Sequence, residues 1–288
     1  MPNTILTPDI IAREALMVLR NNAVFANLVH RNYSNEFVAG VGDTITIRKP
    51  AKFEAKEFTS EITVQNATES STTITMDKLL DVSFSVSSKE MAMDIKDFSA
   101  QFLVPAMQAF SDKIDSYIIA LADAISTNKV TMSGGSVTTS DIVDARAFLT
   151  KHAAPLTERR FVYNSAVEAD LLKTDLFINA SAVGDEGTAL REASLGRKFG
   201  MDFYVDQNMD SATTAKAVAF HKNAFAMVTR MLQQPMGAAK SAIMNYDGFA
   251  LRVVYDYDSK KKTDTVSIDM LCGFKTLDEN LASIIATS

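Results

Sequence analysis

Residues 94–126, DIKDFSAQFLVPAMQAFSDKIDSYIIALADAIS, form the longest run in the chain with helical periodicity. Ile95, Phe98, Phe102, Met107, Phe110, Ile114, Tyr117, Ile118, Leu121 and Ile125 recur mostly at steps of three and four, which lays one apolar stripe along a helix. The opposite side carries Lys96, Asp97, Gln101, Asp112, Lys113, Asp115 and Asp123. At about 1.5 Å per residue such a helix would extend on the order of 50 Å, longer than a core of this size needs, so the stretch predicts a strut. Pro105 removes one helical hydrogen bond and crowds the preceding turn, predicting a kink near Phe102 or a fresh helix start at Pro105. Asp94 stands as an N-cap, and residues 127–137 (TNKVTMSGGSV) are loop chemistry.

A chain of 288 residues can bury one large core or two smaller, connected ones. Its hydrophobic content of 47% and mean hydropathy of +0.02 predict a soluble globular protein. No apolar run reaches the ~18 residues of a membrane span. The start MPNTILTPDII lacks the basic and apolar regions of a signal peptide, so a cytoplasmic protein without membrane partners is expected. The single Cys272 excludes a disulfide framework and a multi-cysteine metal site. His30, His152 and His221 show no ligand spacing. A net charge of −6 and a pI near 5.2 argue against a protein whose main work is gripping nucleic acid, since such domains cluster positive charge.

On the N-terminal side, residues 7–29 read as an amphipathic helical arm, with Pro8 at the first helical position and Asp9 and Glu14 near its positive end. The arm either packs on its own subunit or lies across a neighbour. Residues 44–48 (TITIR) and 81–87 (DVSFSVS) alternate as strands and are expected to pair, enclosing 49–80. Within that segment, 61–64 (EITV) and 72–76 (TTITM) flank a turn at 65–71, giving one hairpin nested on another. A two-stranded ribbon with one thin apolar row is marginal in water, and its edges invite pairing. It must therefore lie on something, and a neighbouring subunit is the favoured support over its own domain. Residues 87–90 (SSKE) have capping-box spacing ahead of a short helix.

On the C-terminal side, 140–151 is a capped helix with Ile142, Val143, Ala147, Phe148 and Leu149 inward, closed by Pro155. A strand at 160–163, a helix at 165–175, a turn-rich stretch at 180–188 and strands at 203–205, 217–220 and 225–228 predict a second α/β lobe over 155–245. Residues 248–257 and 264–271 form a hairpin around the polar turn 258–262 (DSKKK), and a last helix is expected over 277–285. The lobe is then an insertion, with the C-terminus returning to pair near the long helix.

Phosphate-binding, dinucleotide, metalloprotease and nucleophile-elbow motifs are absent from the sequence. Asp112 and Asp115, three apart, could be paired carboxylates, but with Lys113 between them a solvated face is expected. Lys260 to Lys262 could touch phosphate, yet three lysines at a hairpin tip are ordinarily a soluble turn. No catalytic, cofactor-binding or metal-ligating residue is assigned, and no enzymatic activity is expected.

The order of parts resembles the major capsid (coat) proteins of tailed bacteriophages with the Hong Kong 97 type shell fold. Locally, 102–115 (FLVPAMQAFSDKID) resembles the start of that family's spine helix, and 190–205 (LREASLGRKFGMDFYV) its leucine-arginine, glycine, glycine-phenylalanine passage. Residues 220–226 (FHKNAFA) and 254–274 (VYDYDSKKKTDTVSIDMLCGF) resemble its closing passages, the Tyr-Asp-Tyr-Asp and Asp-x-Leu-x-Gly patterns being the most specific. The resemblance implies an α+β fold: an N-terminal helical arm (1–36), an extended β-hairpin loop (37–90), a peripheral lobe (91–154) with spine helix 94–126, an inserted axial lobe (155–245) and a return to the peripheral lobe (246–288). It implies a structural subunit that self-assembles as pentamers and hexamers into an icosahedral shell, in partnership with portal and scaffold proteins. Double-stranded DNA would be packaged by non-specific confinement, with assembly in the bacterial host cytoplasm and a final place in the virion. Maturation would rotate the lobes as rigid bodies and re-lay the ribbon and arm. Residues 165–196 leave little room for an extra inserted domain, and no cross-linking pair is assigned. Two alternatives stand beside it: a cellular nanocompartment shell with the same fold, and a small-molecule α/β enzyme with its site between lobes.

Overall fold

Among the described residues four α-helices follow from the patterns above: α1 (Pro8–Asn22), α2 (Val104–Asp123), α3 (Thr139–Lys151) and α4 (Ser165–Leu172). The first strands are β1 (Thr44–Lys49), β2 (Ser70–Thr75), β3 (Lys78–Ser87), β4 (Lys129–Thr131), β5 (Arg159–Tyr163), β6 (Arg197–Lys198) and β7 (Met201–Val205). They are followed by β8 (Ala215–His221), β9 (Phe225–Arg230), β10 (Lys240–Tyr246), β11 (Phe249–Asp258), β12 (Thr263–Thr276) and β13 (Ala282–Ala286). The computed structural model describes residues 8–33, 43–49, 55, 57, 64, 70–87, 102–132, 134–174, 177, 195–237, 240–246 and 249–287. The expected N-cap at Asp94, the capping-box stretch beyond Ser87 and the turn-rich 180–188 lie outside the described residues.

Helix α2 carries Pro105 in its first turn, and Phe102 and Leu103 just ahead of it are π-helical, the wider turn that accommodates a missing N–H. Its twenty residues span about 30 Å, and Met107, Phe110, Ile114, Ile118 and Ile119 are all buried. Helix α1 buries Ile11, Ala12, Ala15, Leu16 and Leu19 against α2, β10 and β11 of its own chain. Of the two packings open to the arm, residues 8–28 therefore take the one on their own subunit.

The strand pairing expected at the ribbon is overturned. β1 pairs not with 81–87 but with β2, antiparallel, from Thr44 opposite Thr75 to Lys49 opposite Ser70. β3 pairs with β12 along ten positions, from Ser87 opposite Thr263 to Lys78 opposite Cys272. The fourteen-residue β12 offers β3 a full-length partner where β1 offers six residues. The pairing also sets Leu80, Val82 and Phe84 over the core, with Phe84 stacked on Phe102 at 5.3 Å. TTITM thus serves β2, and its expected partner 61–64 lies outside the described residues except Val64, which is exposed.

Two larger sheets result. One has the order β10-β11-β12-β3, with β9 on the distal part of β12; the other runs β4-β13-β8-β5-β7-β6. The expected hairpin at 248–271 is β11–β12. β9 and β10, inside 155–245, pair in the five-stranded sheet, while β4 and β13, outside it, complete the six-stranded one. The helix expected over 277–285 is instead a short 3₁₀ turn, Glu279–Leu281, followed by β13. β13 lies between β4 (parallel) and β8 (antiparallel), with all five residues buried. A strand covered on both faces shows no alternation, which is why its short apolar run reads equally as helix.

β8 divides the interior. Val218 and Phe220 face a large core shared with α1, α2 and the five-stranded sheet. Ala217 and Ala219 face a smaller core with Ile142 and Leu149 of α3, Val167 and Leu171 of α4, and Phe161, Tyr163 and Phe203. α3 is capped by Thr138, whose N–H donates to Asp141 Oδ2 at 2.8 Å. Of the α3 residues expected inward, Val143 and Ala147 face out.

Candidate assembly surfaces and the joint behind them

At its base the ribbon rests on its own chain. Ile74 and Met76 are buried against Ala226, Val228 and Leu277, with Tyr33, Ile45, Ile47 and Leu271 packed around them. The Met76 N–H closes the base by donating to the Asp43 carbonyl at 2.8 Å. The expectation that the whole 44–87 excursion borrows its support from a neighbour is corrected: β3 belongs to the subunit's own sheet and the ribbon base has its own seat. Farther out, Ser71 and Thr73 are exposed and Ile47 is only half-buried, so one thin apolar row runs along the β1–β2 pair. Other apolar side chains reach solvent at Ile10 and Met17 on α1, Leu79 on β3, and Met231 and Met236 in the β9–β10 connection. Leu79, at 61% exposure, sits on a strand that ends the five-stranded sheet.

Behind these surfaces lies a joint built on residues 23–33. The Phe25 ring is fully buried, stacked on Phe220 of β8 at 5.3 Å and edge-on to Phe225 of β9 at 6.4 Å. Asp115 of α2 accepts the Val24 N–H at 3.1 Å through Oδ2 and the Ala26 N–H at 2.9 Å through Oδ1. The Arg160 guanidinium donates to the Leu28 carbonyl. The His30 N–H donates to Phe225 O at 3.1 Å, and the Met227 N–H to His30 O at 3.0 Å. One short segment thereby ties α1, α2 and both sheets together.

The electrostatics of the joint follow from burial. Asp115 is 0% exposed; desolvation, with the negative charge of Asp206 added, pushes its carboxyl up to about 7 against the pull of the Ala26 and Val24 amides. Burial likewise raises Asp206, whose Oδ1 accepts the Asn208 N–H at 2.9 Å. The solvated face expected for Asp112 and Asp115 holds for Asp112, which is exposed and accepts from Asn208 Nδ2 at 3.2 Å, and fails for Asp115. Asp115 directly follows Ile114 and lies three before Ile118 in the buried stripe, the signal that places it inward. At the far end of α2, burial opposes ionisation of Asp123, but the Thr213 hydroxyl and the Ala215 and Thr214 amides hold its carboxyl below the usual range.

A cleft of about 320 Å³ opens beside α4, on the six-stranded sheet and not between the sheets. Its polar side chains are engaged in holding backbone and turns. Asn164 Oδ1 accepts from Val167 N–H at 3.0 Å, Asp170 Oδ2 from Val137 N–H at 3.1 Å and Asp210 Oδ2 from the Ser165 hydroxyl at 2.7 Å, while Lys216 Nζ donates to Ala212 O at 3.3 Å. The three histidines stay apart. His221 Nδ1 accepts the Asn223 N–H at 3.2 Å, with burial lowering its pKa, and His152 Nδ1 lies 3.1 Å from the Phe148 carbonyl. Among the described residues no group of three His, Cys, Asp or Glu side chains could hold a metal ion, and no helix is long and apolar enough to cross a membrane. Lys260, Lys261 and Lys262 form the exposed β11–β12 tip, where Asp258 Oδ1 accepts the N–H groups of Lys260 at 2.9 Å and Lys261 at 3.2 Å.

Buried polar groups thus fix backbone, and one segment clamps two sheets together. Residues 69–267 match the family model described as phage capsid protein, and the chain belongs to that family. Comparison with curated proteins gives no match. Among solved structures it is similar to one from Mycobacterium phage Che8, at 18% identity and a TM-score of 0.69 over 91% of this chain and 90% of that one. It is also similar to the capsid of cyanophage P-SCSP1u, at 16% identity and 0.65 over 92% and 88%. A virus-like particle from Pyrococcus furiosus shares the fold more distantly, at 11% identity and 0.53 over 96% and 97%.

Proposed function

We propose that this chain is the major capsid protein of a tailed bacteriophage, with the Hong Kong 97 type fold, and that it assembles as pentamers and hexamers into an icosahedral shell enclosing double-stranded DNA. The observation that carries the reading is the family match from β2 to β12 on a subunit whose β1 and β2 strands carry only Ile45, Ile47 and Ile74 as apolar side chains. Residues 1–36 act as the arm, 37–90 as the extended loop, 91–154 with 246–288 as the peripheral lobe and 155–245 as the axial lobe. Portal and scaffold proteins are its partners during assembly in the host cytoplasm. DNA is held by confinement, in keeping with a net charge of −6. Many weak contacts repeated around the shell supply the stability that one ribbon contact lacks. The subunit acts by geometry and not by catalysis.

Purified protein, alone and with a co-expressed scaffold, examined by sedimentation and electron microscopy, should form closed particles of uniform diameter. Compact monomers under every condition would overturn the reading. The likeness to the Pyrococcus furiosus particle supports a second reading, a cellular compartment shell. A cargo-enzyme gene beside this one would favour it, whereas terminase, portal and scaffold genes favour the phage.

A further inference from the structure

The Asp-x-Leu-x-Gly pattern at 269–273 gains a physical account from its surroundings. Asp269 forms a two-pronged pair with Arg252 of the neighbouring strand, at 2.9 and 2.5 Å. Leu271 packs beside the ribbon base. Gly273 lies directly beneath that base: a Cβ built on it would stand 2.2 Å from the Thr75 carbonyl oxygen, 2.9 Å from its carbonyl carbon and 3.0 Å from Met76 Cα. All three obstructing atoms are backbone, so no side-chain rotation relieves the contact. The requirement is for space, because the Gly273 backbone is not among the left-handed glycines.

The surrounding face is shaped to the same end. Gly273 is opposite Val228 and Lys275 opposite Ala226 in the β12–β9 register, and Val228 and Ala226 join the cluster that covers Ile74 and Met76. Gly273 and Ala226 leave a hollow into which the end of β2 descends, and the flanking Leu271, Val228 and Leu277 wall it. Ribbon and sheet thus meet at one glycine-floored seat, beyond which β1 and β2 run as a separate two-stranded sheet.

We propose that Gly273 is the positioning residue that sets where the ribbon leaves its own subunit and therefore where its far end meets a second copy of the chain. The assembly half of this inference rests on the shell reading; the seat itself does not. Gly273→Ala lifts Thr75 by about 0.8 Å to reach even the 3.0 Å limit, loosens the base and redirects the ribbon, while leaving α2 and the six-stranded sheet unchanged.

Two readouts test it. In dispersed subunits of Gly273→Ala, hydrogen exchange of β1 and β2 should rise at least tenfold over wild type, with α2 as the unchanged internal reference. In assembly reactions, the yield of closed particles of wild-type diameter should fall at least tenfold. Either readout at its wild-type value overturns the proposal. Should Gly273→Ala fail to fold, Met76→Ala empties the seat from the ribbon side without touching β12, and the same two readouts apply with the same consequences. Wild-type protein that forms no shells would sink the shell reading, and ribbon exchange in the dispersed subunit would still decide whether Gly273 holds the base.

Discussion

Replacing Asp115 by Asn tests the joint most sharply, because its effect depends on pH with a fixed sign. Folding raises the Asp115 pKa from 3.8 to about 7. Between those values the folded chain keeps a proton that the unfolded chain has released, so the folded state binds more protons and stability falls as pH rises, levelling off above about 7. Three pH units at about 1.4 kcal/mol each make the whole effect about 4 kcal/mol, with roughly 2–3 kcal/mol of it between pH 5 and pH 8. Asn carries no such dependence, but its amide nitrogen cannot accept, so either Val24 or Ala26 is left with an unmet buried N–H, a loss of about 1–3 kcal/mol at any pH. Asp115→Asn should therefore be less stable than wild type at pH 5 and equal or superior at pH 8. Urea unfolding of dispersed subunits at pH 5, 6, 7 and 8 measures the difference. Asp206 is present in both proteins but its charge adds to the Asp115 shift, so the difference reports position 115 together with its coupling to Asp206. Parallel stability curves would refute the reasoning, since they would mean that Asp115 takes up no proton on folding.

Phe25→Ala removes the ring held between Phe220 and Phe225 and should lower stability by about 3–5 kcal/mol in the same urea assay. Cys272 is fully buried, and burial pushes its thiol up to about 12, so native protein should react with iodoacetamide at least about a hundredfold more slowly than urea-unfolded protein. Deleting residues 282–288 removes β13 from between β4 and β8; the truncated chain should not fold cooperatively by circular dichroism, whereas a peripheral terminal helix would be dispensable.

Where the sequence has a clear period, fold and periodicity agree. The α2 stripe, the alternation of β3 and the β11–β12 hairpin could each be read from local pattern. Partner choice could not, because β1, β2 and β3 all alternate and nothing local says that β3 prefers a strand about 180 residues away. β13 was illegible for a different reason: five consecutive buried residues carry neither period. Asp115 shows a third limit. Its place in the stripe was visible, but a lone carboxylate between isoleucines is read as solvated until the two backbone amides that hold it are seen. The seat at Gly273 was marked only as a motif glycine, since close approach of a distant backbone leaves no trace in spacing.

The joint and the seat together decide which part of the subunit can move. β8 passes into β9 through a single 3₁₀ turn, Lys222–Ala224, and Phe220 and Phe225 at its two ends grip Phe25. Rotating one sheet against the other would expose that ring, at about 2–3 kcal/mol, and break the two hydrogen bonds that the Val24 and Ala26 N–H groups donate to the Asp115 carboxylate, at about 1.5–3 kcal/mol each when it is ionised. The sum, roughly 5–9 kcal/mol, is comparable to the whole stability of a typical domain. Unseating the ribbon exposes chiefly Ile74 and Met76, at about 1.5–3 kcal/mol apiece. Unseating the ribbon therefore costs less than turning one sheet on the other, and the ribbon is expected to give first; the lobe rotation that the resemblance implies would have to break the contacts of Phe25 and Asp115.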